Sequence, residues 1–136
     1  MNEWLVDTNV LLDVIGADAS FGERSLQTLM RLNESGVLVI NPIIYAEVGA
    51  MMDSIEELNE ALPQTIFRRD PLPWEASFLA GQAFQQYRHH RGGTKPRMLA
   101  DFLIGAHAVA ANFGLVSRDQ VYQRYFNNLT IIDPSK

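Results

Sequence analysis

The sequence predicts an α/β fold, a central five-stranded parallel sheet with helices on both faces, and three observations support it. Short apolar runs alternate with longer stretches whose apolar residues recur at helical spacing. Several runs close on turn or capping residues, as in Asp7-Thr8-Asn9 after Trp4-Leu5-Val6 and Asn41-Pro42 after Val37-Leu38-Val39-Ile40. The chain has 136 residues, 47% hydrophobic and 20% charged, which is room for one core, so residues 1–136 read as one domain.

Residues 4–6 form the first strand, and Val10, Leu11, Val14 and Ile15 mark the helix after it. A second helix over residues 22–34 puts Leu26, Leu29, Met30 and Asn33 on one face, with Gly36 as its stop. Residues 37–40 read as a buried strand. Asn41 as cap and Pro42 at the first helical position then open a helix through about residue 52. A short helix over 54–62 ends at Pro63, and residues 65–67 make a third strand. Trp74, Phe78, Leu79, Phe84 and Tyr87 mark a long helix to about His90, broken by Gly92-Gly93. The helix over 98–112 is apolar on nearly every side, so it should be largely buried. Residues 115–117 form a fourth strand, 119–126 a short helix and 130–132 a fifth strand.

No apolar run approaches the roughly 20 residues that span a bilayer, and Met1-Asn2-Glu3 lacks the positive start of a signal peptide. A cytoplasmic location is expected. The absence of cysteine excludes disulfide scaffolds, thiol catalysis and thiolate-held zinc. A net charge of −5 is unusual for a protein that handles nucleic acid, but its distribution is uneven. Residues 76–100 contain no acid, and four of the eleven lysines and arginines, Arg88, Arg91, Lys95 and Arg97, fall there; subtracting them from −5 leaves −9 elsewhere.

In open α/β sheets, ligands gather beyond the carboxyl ends of the strands. Asp7 follows the first strand; a helix cap is its simplest role, although Asn9 could cap equally well. Glu47 shares a stripe with Ile44, Val48 and Met51, and a carboxylate on such a face requires an edge position, a base or a metal. Asp101 lies in the first turn of its helix, where the helix dipole alone favours an anion. Asp119 follows the fourth strand, where an Asx-turn would account for it. Each acid alone has a structural explanation, but together they could converge on one rim. Carboxylates roughly 4 Å apart repel by about 4 kcal/mol at an effective dielectric near 20, so convergence needs a cation. An oxygen-only donor set suits Mg²⁺ or Mn²⁺. Such an ion activates water and stabilises a leaving oxygen without a side-chain nucleophile. Arg88, Arg91, Lys95 and Arg97 directly precede the helix bearing Asp101 and could hold a phosphate backbone. Arg97 has a competing role as an ion-pair partner of Asp101.

These residues resemble the pattern of PIN-domain nucleases, and specifically the VapC-like toxins. The resemblance spans essentially the whole chain. It rests on Asp7-Thr8-Asn9-Val10 with Leu12-Asp13, on Glu47, on Asp101-Phe102-Leu103-Ile104-Gly105-Ala106-His107-Ala108, and on Leu115-Val116-Ser117-Arg118-Asp119. It implies a five-stranded parallel sheet, a carboxylate cluster binding Mg²⁺ or Mn²⁺, and endonucleolytic cleavage of RNA. It also implies a homodimer and inhibition by a small antitoxin whose tail enters the active-site groove. By the same resemblance Asp7, Glu47 and Asp101 match the family's metal-binding acids and Asp119 its more variable fourth. Asn9 and Ser117 match polar positions that support the cluster, with serine in place of the more usual threonine. Asp13 also matches, but its place within a helix suits a structural hydrogen bond or ion pair better than a metal bond.

Other functions fit less well. An aspartyl-phosphate phosphatase needs a second aspartate two positions after the first, where Asn9 stands. A zinc hydrolase would depend on His89, His90 and His107; the first two point different ways on a helix, and His107 sits among Leu103, Ala106 and Ala110 as a core or interface residue. A non-catalytic interaction module of the same fold would be favoured by loss of one of the matching acids, and all are present.

Overall fold

Five strands and seven helices alternate along the described residues, 2–90 and 97–136 of a computed structural model. In chain order they are β1 (Glu3–Val6), α1 (Thr8–Ile15), α2 (Gly22–Ser35), β2 (Val37–Ile40), α3 (Pro42–Gly49), α4 (Ile55–Ala61), β3 (Phe67–Arg69), α5 (Trp74–His90), α6 (Leu99–Ala110), β4 (Gly114–Val116), α7 (Val121–Tyr125) and β5 (Ile131–Ile132). The strands form one sheet in the order β3-β2-β1-β4-β5, with every pairing parallel. From β1 the chain moves outward to β2 and β3, then returns across the sheet to β4 and β5. Right-handed crossovers in these two directions put their helices on opposite faces. The strands have the composition this demands: Leu5, Val6, Leu38, Val39, Ile40, Leu115 and Val116 are all buried, as in a parallel sheet covered on both sides.

The capping chemistry read from the sequence is present. The Asn41 side chain accepts from the backbone N–H of Ile44 with Pro42 at the start of α3, and the Ser54 hydroxyl accepts from the N–H of Glu57 to open α4. Three elements depart from expectation. The inward face of α2 is Gly22, Ser25, Thr28, Leu29 and Leu32, while Leu26 and Met30 are exposed. The cause is polar: Asp13 is buried on α1 and accepts from the Ser25 hydroxyl at 3.0 Å, which turns α2 by about one position so that this carboxylate is satisfied. The third strand begins at Phe67 rather than at residue 65, because the N–H groups of Ile66 and Phe67 both donate to the Pro63 carbonyl in a turn. The helix from Pro42 stops at Gly49, short of residue 52.

Helix α5 presents small residues inward, Ala76, Ala80 and Ala83, together with Tyr87, while Trp74 is 89% exposed. The small face lets α5 approach α6 closely. Beside it, Phe102 is ringed by Phe84, Tyr87 and Tyr125 at centroid separations of 5.5, 5.4 and 5.5 Å. Helix α6 is largely buried as expected, through Phe102 and the run from Ile104 to Ala108. Gly105 lies in that run because a Cβ there would stand 2.5 Å from the Phe126 ring and 2.8 Å from the Tyr122 ring. Gly105→Ala is therefore expected to lower unfolding free energy by about 1–2 kcal/mol in urea denaturation, even though alanine favours helix. An unchanged or raised midpoint would show that the rings yield freely.

Candidate active site

The chain leaves β1 toward β2 and leaves β4 toward β5, so the crevice at the carboxyl ends of β1 and β4 is the topological switch point of the sheet. Val6 pairs with Val116, and the next residue, Asp7, donates its N–H to the Val116 carbonyl at 2.9 Å. Asp7 and Ser117 therefore sit side by side at the switch point. The Asp7 carboxylate is 4% exposed. Its Oδ1 accepts from the Thr8 N–H at 2.8 Å, and its Oδ2 accepts from the Ser117 hydroxyl at 2.7 Å and the Asn9 amide at 2.9 Å. The Ser117 oxygen accepts in turn from the N–H of Asp119 at 3.0 Å, and the Asn9 carbonyl from the N–H of Arg118 at 3.3 Å. Asn9 and Ser117 thus both donate to Asp7. Asp7 is also the N-cap of α1, so Asn9 does not take that role; it lies inside α1 and turns its amide back to Asp7. Burial pushes the Asp7 carboxyl up to about 6, against the Ser117 and Thr8 hydrogen bonds, and the charge of Asp101 adds to the rise.

Helix α6 leads into β4, so in a parallel sheet its first turn stands at this same rim, and Asp101 stands in that turn. Burial raises the Asp101 carboxyl; the Met98 backbone hydrogen bond opposes this, the charges of Asp119 and Glu47 raise it further, and Arg97 opposes them. Glu47 is half-buried on α3 and accepts from the Thr8 hydroxyl at 2.6 Å. The expected stripe is incomplete: Ile44 and Val48 are buried, but Met51 lies beyond α3 and is 69% exposed, which leaves Glu47 at the edge of the face. Asp119 accepts from the N–H of Val121 at 3.0 Å in an Asx-turn ahead of α7, and its other oxygen pairs with Arg97. The expected Arg97–Asp101 pair gives way to this one because α6 starts only at Leu99, leaving Arg97 outside the helix.

The charges of Asp7, Glu47 and Asp119 are each felt at Asp101 or by it, so the four acids share one rim. They do not close on a point: among the described residues, no group of three acidic or histidine side chains is placed to hold one metal ion. Mutual repulsion accounts for the spacing, with Glu47 drawn to Thr8 and Asp119 to Arg97. The donors within reach are carboxylate and hydroxyl oxygens, a hard set that fits Mg²⁺ or Mn²⁺ and not zinc.

Two residues of the rim escape sequence reasoning. Thr8, read only as part of the turn, positions Glu47. Tyr122, one helical turn after Asp119, reads as an ordinary core aromatic, and no spacing signal distinguishes it. Its side chain is 1% exposed, yet Asp7, Asp101 and Asp119 lie close enough that, after burial, their charges raise its ionisation well above the usual tyrosine range.

The remaining candidates are structural or peripheral. Asp13 binds Arg118 through two oxygens at 2.7 and 2.9 Å, the expected ion pair, with the guanidinium 4.0 Å over the Phe21 ring. His107 is buried, accepts from the Asn41 amide at 2.9 Å and is kept below the usual histidine range by burial, as suits a core residue. Arg88 is exposed on α5 beside Phe84. Arg91 and Lys95 lie outside the described residues. Of the described members of the basic segment, Arg97 is the one paired with a rim acid.

The raised Asp7 carboxyl has a consequence for stability. Its folded value of about 6 exceeds the ordinary aspartate value of 3.8, so between these the folded state holds more protons than the unfolded state. Stability from this group is full below the unfolded value and is lost as pH rises through about 6, on the order of 3 kcal/mol in all. In chelating buffer, the melting temperature of Asp7→Asn is expected to fall less than that of wild type between pH 4.5 and 7. Parallel curves would show that Asp7 is ionised throughout.

A family model described as the PIN domain matches residues 4–127. No curated protein matches the sequence significantly. Among solved structures, VapBC2 from Rickettsia felis bound to a promoter DNA fragment is similar at a TM-score of 0.74 and 18% identity, covering 96% of this chain and 97% of that one. VapBC-1 from nontypeable Haemophilus influenzae gives 0.74 and 17%, covering 98% and 99%. VapC20 of Mycobacterium tuberculosis, a sarcin-ricin loop cleaving toxin, gives 0.64 and 12%, covering 89% and 93%. With the family model spanning nearly the whole chain, and an acid-lined rim at the switch point of a matching sheet, the chain belongs to the PIN domain family.

Proposed function

We propose that the chain is a metal-dependent endoribonuclease that hydrolyses RNA phosphodiester bonds, and that it is the toxin of a toxin–antitoxin pair. The observation that carries this reading is the buried Asp7 carboxylate at the switch point, sharing its rim with Asp101, Glu47 and Asp119 and held, among the described residues, by neutral donors. PIN-domain membership and the toxin structures of the same fold support it.

Asp7, Asp101 and Asp119 would hold Mg²⁺ or Mn²⁺, with Glu47 beside them. When bound, the ion supplies an activated water and neutralises charge at the phosphate. Ser117 and Asn9 fix the orientation of Asp7, and Thr8 that of Glu47. Arg97 stands at the rim, where its guanidinium can meet a phosphate once freed from Asp119, and Arg88, Arg91 and Lys95 would extend the basic track along RNA.

The partners in this reading are a cognate antitoxin and a second copy of the chain, in the cytoplasm. Among the described residues no helix is long and apolar enough to cross a membrane. An apolar groove lined by Leu11, Ile15, Leu26, Met30, Leu62 and Ile66 suits the amphipathic segment of an antitoxin. The rotation of α2 that exposes Leu26 and Met30 creates it.

The test is RNA cleavage in Mn²⁺ or Mg²⁺, with and without chelator, beside Asp101→Asn. Cleavage is expected to require the ion and to fall at least about a hundredfold in the variant. Equal activity of the two proteins, or activity indifferent to chelator, would remove the proposed mechanism.

A further inference from the structure

Tyr122 occupies a place that core packing alone does not explain. Its ring lies against Gly105, which is one helical turn after Asp101 on α6, while its own helix α7 begins just after Asp119. The side chain therefore bridges the two elements that carry these acids. Its hydroxyl is fully buried and makes no well-formed hydrogen bond among the described residues. An unmet buried donor costs about 1–3 kcal/mol, so for packing alone a phenylalanine such as its neighbour Phe126 would be the better residue. Asp7, Asp101 and Asp119 lie near the phenol, which faces these carboxylates as a neutral donor. Asp7 has room for it: an ionised carboxylate offers about four lone-pair sites, and Thr8, Asn9 and Ser117 occupy three.

We infer that Tyr122 is a positioning residue of the rim, its buried phenol steadying Asp7 and its neighbouring carboxylates in the arrangement that receives a divalent cation. A lysine or arginine at this place would compete with the cation through its own charge. A neutral donor offsets part of the repulsion among the acids and leaves their negative charge for the ion. The inference rests on the metal-dependent reading above.

Tyr122→Phe removes the hydroxyl and keeps the ring. In chelating buffer the variant is expected to melt close to the temperature of wild type, because the ring that packs against Gly105 is kept and the lost donation to the acids is offset by the hydroxyl's own desolvation cost. Calorimetric titration with Mn²⁺ alone is expected to show about tenfold weaker binding, the usual effect of losing a group that orients metal ligands. Equal Mn²⁺ affinity of the two proteins would overturn the inference and leave the nuclease reading intact. A lower melting temperature in chelator with unchanged affinity would do the same and make Tyr122 a structural residue. A wild-type protein that binds no Mn²⁺ would remove both.

Discussion

Asp7 keeps a carboxylate almost wholly out of water at the point where the sheet reverses its strand order, and most of the surrounding polar structure is arranged around that burden. Burying an unpaired ion costs several kcal/mol. Hydrogen bonds to a charged group each contribute about 1.5–3 kcal/mol, and Asp7 receives them from Thr8, Asn9 and Ser117. The compensation is incomplete, which is why the carboxyl is pushed up to about 6. The strand register that places Ser117 beside Asp7 is therefore as much a part of the site as the acid itself.

The molecule treats its two buried aspartates in opposite ways. Asp13 is closed off by a two-pronged bond to Arg118 and a hydroxyl from Ser25, so its charge is cancelled and it ties α1, α2 and the segment after β4 together. Asp7, only six positions earlier, receives no cationic partner among the described residues, and its negative charge remains available. That contrast separates a structural carboxylate from one suited to a cation better than burial does, since both are buried. Asp119 lies between these cases, paired with an arginine that remains partly exposed and so is weakly held.

The packing of α6 and α7 sets the far wall of the rim. Gly105 lets the Tyr122 and Phe126 rings press against α6, and the aromatic cluster around Phe102 fixes α5 to the same helix. Asp101, in the first turn of α6, inherits its position from this apolar contact. The acids of the rim are thus held at their separations by core packing on one side and by neutral hydrogen-bond donors on the other.

Much of this was legible in the amino-acid order. Periodicity and capping residues located all the elements, because the apolar runs of a covered parallel sheet and the Asn41-Pro42 and Ser54 helix starts are local signals. The acids at the ends of strands were visible for the same reason. Tertiary structure decided the rest. The inward face of α2 was set by a buried carboxylate on another helix, the partner of Arg97 by where α6 begins, and the place of Tyr122 by a glycine on a neighbouring helix. Such outcomes depend on distances between residues far apart in the chain, which helical or strand spacing does not encode. Sequence determined which groups could carry charge at the rim, and only the packed structure decided which of those charges would be cancelled and which left open.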